Sequence, residues 1–144
     1  MNERQTTLIR SARLNDADAI LQLAQRFATS FVVESPAFHS SLPSLLSDSS
    51  ACLRVAEVDG AVLGYVLGFE HLTFFANGRA AWVEEIMVAE SLRQRGIGSQ
   101  LMGAFTEWAR SRQCRLIALA TRRAAPFYQA LGYDESAAYF RKLL

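Results

Sequence analysis

The chain has 144 residues, 51% of them hydrophobic and 20% charged, the length of one folded domain and a composition foreign to disordered tails. Fifteen Lys and Arg against fourteen Asp and Glu leave a formal net charge of +1, which argues against broad nucleic-acid or anionic-membrane binding, where a basic excess supplies the attraction. No apolar run approaches the roughly 18–20 residues that a membrane span requires.

Leu8 to Arg13 reads as a first strand. Asn15 then stands where a helix N-cap belongs, with Asp16 and Asp18 in the first turn, where the helix dipole favours acids. Ile20, Leu23, Ala24, Phe27, Ala28 and Phe31 recur at helical spacing and give that helix one buried face. The Phe38-His39 segment and a short amphipathic helix around Leu45 follow. Leu53 to Val58 and Val62 to Phe69 form two strands around Asp59-Gly60, a pair suited to the positive φ of a tight hairpin. Asn77-Gly78 signals a second turn, leading into a strand from Ala80 to Val88. A long helix runs from about Ile97 to Arg112, its apolar face set by Leu101, Met102, Phe105, Trp108 and Ala109. Leu116 to Ala120 is unbroken apolar, as expected of a central strand covered on both faces. Pro126 falls in the first turn of a short helix, Gly132 ends it, and Tyr133 to Lys142 reads as a last strand. The order β-α-α-β-β-β-α-β-α-β, a meander followed by a β-α-β crossover, implies a mixed sheet with helices on both faces, an α/β (α+β) domain spanning residues 1–144.

Glu84-Glu85-Ile86-Met87-Val88 is followed by Arg93-Gln94-Arg95-Gly96-Ile97-Gly98 and the long helix. Glycines at this spacing let a ligand approach the backbone, and the first helical N–H groups have no intrahelical partner. Such a terminus suits an anion, and Arg93 and Arg95 add charge beside it. On spacing alone, a glycine-bearing loop with two solvated arginines is the competing reading. The familiar phosphate motifs do not fit, because no Lys follows Gly96 or Gly98 and the third glycine of a dinucleotide fingerprint is replaced by Leu101.

Arg93-x-x-Gly96-x-Gly98, after a strand and before a helix, resembles the acyl-CoA loop of the GNAT N-acetyltransferase superfamily. Phe127-Tyr128-Gln129-Ala130-Leu131-Gly132-Tyr133 resembles that family's second signature, about 30 residues further on. The element order matches over nearly the whole chain. The resemblance implies the GNAT-like acyltransferase fold, with Arg93, Arg95, Gly96, Ile97, Gly98 and Ser99 around the pyrophosphate of coenzyme A. It implies that the backbone of Ile86, Met87 and Val88 pairs with pantetheine, and that Tyr128 protonates the departing thiolate. A phenol with pKa near 10 is protonated at neutral pH and can donate. Many relatives carry an Asn after the central strand, where this chain has Ala120-Thr121-Arg122-Arg123, so Thr121 is the candidate substitute, and Arg122 or Arg123 either reaches cofactor phosphate or is a plain solvated charge.

Glu84 and Glu85 fall on opposite faces of a regular strand. With both faces covered, one carboxylate should line a cavity or meet a partner such as Arg79, because an unpaired buried carboxylate is costly. An amine must be neutral to attack a thioester, so some group must take its proton. Glu84 is favoured slightly, since it shares the face of Ile86 and Val88. Relatives shape their acceptor pocket with the segment that here holds Glu34, Phe38 and His39. Tyr65, Phe69 and His71 read mostly as packing, with Phe74 and Phe75 as candidates for an apolar acceptor wall.

The expected activity is therefore an acetyl-CoA-dependent N-acetyltransferase acting by direct attack in a ternary complex, since no Cys-His or Ser-His nucleophile is evident. The acceptor would be a small-molecule or peptide primary amine, with no nucleic acid, membrane or metal involved. The rival readings are a CoA-responsive binding module with the same fold and a nucleotide-binding domain. Two cysteines, Cys52 and Cys114, are too few for a disulfide framework or zinc site, and residues 1–13 hold no apolar stretch of the secretory kind. A cytoplasmic location with free thiols is expected, and the resemblance is compatible with a homodimer.

Overall fold

The structure, a computed structural model, describes residues 5–27, 30–93 and 95–144. Five strands, β1 (Thr7–Ser11), β2 (Ala51–Val58), β3 (Ala61–Thr73), β4 (Gly78–Val88) and β5 (Cys114–Leu119), form one sheet in chain order. The first four are antiparallel neighbours, and β5 joins parallel to β4 after a helical crossover. Helices α1 (Ala17–Phe27) and α2 (Ser35–Ser47) cover one face. Helix α3 (Ile97–Ser111) covers the other, and the short helix α4 (Ala125–Ala130) follows β5. This is the mixed sheet with helices on both faces that the element order implies.

The local signals that depend on a few neighbouring residues hold. Asp59 and Gly60 take φ values of 50° and 87°, and the hairpin closes with Val58 opposite Ala61, as a primed turn requires. On α3, Leu101, Met102, Phe105 and Ala109 are buried against Cys52, Ala56, Val66, Ala81 and Val83. Across the sheet, Ile20, Leu23, Ala24 and Leu42 pack on Leu53, Val55, Tyr65 and Leu67. The closest approach is at Gly68, where a Cβ would stand 2.3 Å from the Phe105 ring and 2.6 Å from the Trp82 carbonyl oxygen.

Several expectations are corrected. Asn15 does not cap α1. The chain first makes a 3-10 turn over Leu14–Asp16, and the Asp16 carboxylate accepts the Arg13 N–H at 2.8 Å and both Arg10 amines at 2.8 and 2.9 Å. A charged, bidentate partner outweighs a neutral amide cap. Phe27 and Phe31 are exposed rather than buried, because the packed face of α1 ends at Ala24, and Ala28 lies outside the described residues. Phe38 and His39 lie inside α2, which starts at Ser35 with Pro36 in its first turn. Strand β5 is not central: it is the outermost of the described strands, and Leu116 is exposed at its edge. No strand forms over Tyr133 to Lys142 among the described residues. Tyr139 instead stacks on Trp82, ring centroids 6.3 Å apart, and Arg141 donates to the Ser30 hydroxyl at 2.6 Å. An apolar alternating segment makes a strand only where a sheet edge receives it.

Candidate active site

The site begins with an irregularity in β4. Opposite it, Leu67 pairs with Glu85 but Gly68 pairs with Val83, so Glu84 is an extra residue, a β-bulge. The bulge flips the side-chain alternation. Ala81 and Val83 face α3 before it, and Ile86 and Val88 face α3 after it. Glu85 and Met87 consequently turn toward α1 and α2. Glu84 is exposed while Glu85 is half-buried, the reverse of the preference that regular alternation suggests. The bulge also marks a fork: the ladder to β5 ends at Val83 opposite Leu119, while β4 runs on to Val88. The stretch Ile86-Met87-Val88 thus has a backbone edge that β5 does not cover.

Glu85 stands in the wall of a cavity of about 480 Å³ between the sheet and α1, α2 and the segment joining them. The Tyr65 hydroxyl donates to its Oε1 at 2.7 Å. Burial pushes the Glu85 carboxyl above its ordinary range, the Tyr65 hydrogen bond pulls it back, and the neighbouring Glu84 charge pushes it up again. Arg79 does not neutralise either glutamate. It donates to Glu70 at 2.7 Å, together with Arg112 at 3.1 Å. Among the described residues Glu85 has no cationic partner, which leaves a partly desolvated carboxylate facing open space.

The other candidates divide. Glu34 and Phe38 line the same cavity. His39 does not, and its Nδ1 lies 2.8 Å from the Ser35 carbonyl on the exposed side of α2. Phe74 is fully exposed and Phe75 largely so, in the turn between β3 and β4, and neither lines the cavity. Tyr65 reads in the sequence as packing, and the cavity wall of Phe31, Val32 and Val33 has no motif at all. Only the pairing of β3 with β4 reveals that Tyr65 meets Glu85.

At the far end of the fork, α3 starts on Gly96, whose φ of 79° lies in the left-handed region, and among the described residues no side chain caps the helix. Gln100 N–H is held by the Gly96 carbonyl at 3.0 Å, so the amides of Ile97, Gly98 and Ser99 precede the first intrahelical bond and have no partner there. Arg93 and Arg95 are exposed beside this terminus, and Gln94 lies outside the described residues. The Arg93 guanidinium rests against the uncovered edge of β4, 3.4 Å from the Val88 carbonyl and 4.0 Å from Met87 Sδ. Gly98 serves a different purpose from Gly96, because a Cβ there would press on the Phe127 ring at 3.3 Å.

That contact ties α4 to the start of α3. Next to Phe127, Tyr128 is 7% exposed and packs edge-on against Phe127 and Tyr133. Burial holds its phenol above the ordinary value, and Tyr133 adds to the effect. It is a proton donor at neutral pH, not a phenolate. Tyr128 belongs to the α3-side cluster, whereas Glu85 lines the cavity on the opposite face. The Thr121 hydroxyl accepts the Ala124 N–H at 3.0 Å and so caps the turn into α4. Burial pushes the Cys52 thiol up to about 11, which makes it inert as a nucleophile. Among the described residues no group of three or more His, Cys, Asp or Glu could hold a metal, and no helix is long and apolar enough to cross a membrane.

The profile of the family described as "Acetyltransferase (GNAT) family" matches residues 17–133. An N-alpha-acetyltransferase from Sulfurisphaera tokodaii is 32% identical over 146 residues, covering 88% of this chain and 80% of the relative. An aminoglycoside N(6')-acetyltransferase type 1 from Salmonella typhimurium is 28% identical over 89 residues, covering 57% of this chain. That match spans 61% of the aminoglycoside enzyme's own length. Among solved structures, an aminoglycoside N-acetyltransferase in complex with CoA superimposes with TM-score 0.85 at 21% identity, covering 99% of this chain and 98% of the other. A transcriptional regulator from Bacillus halodurans superimposes with TM-score 0.84 at 23% identity, covering 96% and 100%.

Proposed function

The chain belongs to the GNAT acetyltransferase family, and from that premise we propose that it transfers an acetyl group from acetyl-CoA to a primary amine by direct attack. The observation that supports this reading best is the partly desolvated Glu85 carboxylate, without a cationic partner among the described residues, in the wall of a cavity beside the fork of β4 and β5.

The residues present fit the cosubstrate. The uncapped start of α3, with Gly96 in the left-handed region, offers three amides to a diphosphate from Ile97, Gly98 and Ser99, and Arg93 and Arg95 supply cations. The uncovered edge of Ile86-Met87-Val88 offers backbone donors and acceptors to the amides of a pantetheine arm, as an added strand would use them. Acetyl-CoA supplies an activated carbonyl with a thiolate leaving group. Thr121 contributes by fixing the turn from which α4 departs.

Glu85 binds the acceptor's ammonium and takes a proton from it, which frees the nitrogen lone pair for attack, and the second proton that nitrogen sheds as the C–S bond breaks and the amide forms restores the Tyr128 phenol. Its raised pKa makes it a better base than an exposed carboxylate. Glu84 acts from solvent, by helping to raise Glu85. Tyr128 remains protonated and gives its proton to the sulfur. Glu34 and Phe38 shape the acceptor's path, and His39 and Phe74 have no part in it.

The test is release of free thiol from acetyl-CoA across a panel of amines, with Glu85→Gln and Tyr128→Phe beside the parent. Each variant is expected to lose roughly 10²–10⁴-fold in kcat/KM, the span usual for a positioned acid or base. Tight CoA binding without thiol release for any amine would identify a binding module instead. Competition by ATP as strong as that by CoA would point to a nucleotide site.

A further inference from the structure

The wall of the cavity at Glu85 carries information about what enters it. Among the described residues fifteen line it, and of these Glu34, Ser41, Tyr65 and Glu85 have polar side chains. The Tyr65 proton is already committed to Glu85 at 2.7 Å, and Glu34 is exposed at the start of α2. The rest of the wall is aliphatic or aromatic, with Phe31, Val33, Phe38, Leu42, Leu53 and Leu67 its larger members. A volume of about 480 Å³ lies within the roughly 300–1,000 Å³ typical of small-molecule sites.

A ligand bearing several ammonium and hydroxyl groups would leave most of them without partners in such a wall, and each unpaired buried group is penalised. A ligand with one ammonium and an apolar body places its charge on Glu85 and its carbon against Leu, Val and Phe. We propose that the acceptor is a primary monoamine with an apolar body, of the arylalkyl or branched-alkyl class, its nitrogen at Glu85 and its carbon in the cavity. The proposal rests on the acetyltransferase reading above and narrows it. It departs from the aminoglycosides for which two of the similar proteins are named.

A homologous series tests it. Propyl-, butyl-, pentyl- and phenylethylamine are compared with spermidine and kanamycin in the thiol-release assay, and binding of phenylethylamine to the protein without CoA is followed by calorimetry. Selectivity should rise about 4-fold per added methylene, the equivalent of ~0.8 kcal/mol for each buried CH₂, until the cavity is full. Phenylethylamine should exceed both polycations by at least about 10-fold in kcat/KM. Ala37 lies on the exposed side of α2 yet lines the cavity, so Ala37→Leu should end the series at a shorter chain without unfolding the protein, as circular dichroism would verify. A flat series, or a preference for kanamycin or spermidine, overturns the monoamine class and leaves acetyl transfer standing. Calorimetric binding of phenylethylamine without acetylation of any amine overturns the acetyltransferase reading and keeps the ligand class. Neither binding nor turnover overturns both.

Discussion

Glu85 holds a carboxylate in a mostly apolar wall, and its one hydrogen-bond donor among the described residues, Tyr65, comes from twenty residues earlier in the chain. That donor stabilises the charged form, so removing it raises the carboxyl pKa further. For a free enzyme that needs Glu85 ionised, kcat/KM falls as pH drops through this pKa, which lies above the ordinary value of about 4.3. Tyr65→Phe should therefore move the acid limb of the pH profile to higher pH, and Glu85→Gln should abolish that limb along with most of the activity. A limb that stays in place in Tyr65→Phe would detach Tyr65 from the base. The pair Glu84-Glu85 stands out in the sequence as a candidate from its position before the glycine loop. The choice between them was not legible, because alternation assumes one residue per register step and nothing local announces a bulge. Tyr65 was legible only as an aromatic in an apolar strand, since its partner is defined by pairing across the sheet.

At the scale of elements, the bulge and α3 are bound together by Gly68. Its missing side chain admits the Phe105 ring, which is fully buried. Gly68→Ala forces either the ring or the Trp82 carbonyl to move, an overpacking cost of roughly 1–3 kcal/mol. Thermal melts should show the loss directly, and an unchanged Tm would mean that α3 shifts without cost. Helix α3 and the Asp59-Gly60 hairpin were readable because their signals, a repeating apolar face and a positive-φ pair, lie within a few residues. The start of α1 was not, because Asp16 is recruited by Arg10 on a neighbouring strand. The segment after Gly132 shows the same limit. Its alternation suits a strand, but Tyr139 finds Trp82 instead.

Over the whole molecule, two buried acids among the described residues tie strands of the sheet to the ends of helical segments. Asp16 joins β1 to the turn before α1 through Arg10, and Glu70 joins β3 to β4 and the end of α3 through Arg79 and Arg112. The Arg10 hydrogen bonds hold Asp16 below its ordinary range, against the opposing push of burial. For Glu70, burial pushes upward, but the two guanidinium groups together prevail and its carboxyl is lowered. A lowered native pKa contributes stability that is fully present above the unfolded values of about 3.9–4.3 and disappears as pH falls through the native ones. Denaturant midpoints measured from pH 6 downward should drop steeply below about pH 4, and Glu70→Gln should flatten part of that slope while lowering stability at neutral pH. An identical slope in the variant would remove Glu70 from the account. The mixed architecture itself was legible from element order, since a meander followed by a crossover leaves few arrangements. The cavity was not, because it is a space between α1, α2 and the sheet, and no single stretch of sequence encodes it.

Two identical neighbours at the bulge make an unusual experiment available. Excising Glu84 or Glu85 produces the same polypeptide, one codon shorter. Regular alternation would then set the surviving glutamate opposite Leu67, on the cavity side, with Val83 and Ile86 both toward α3. The acid is retained while the kink vanishes. If the kink keeps the thioester's berth open, this shortened protein should still take up phenylethylamine but lose most of its affinity for CoA.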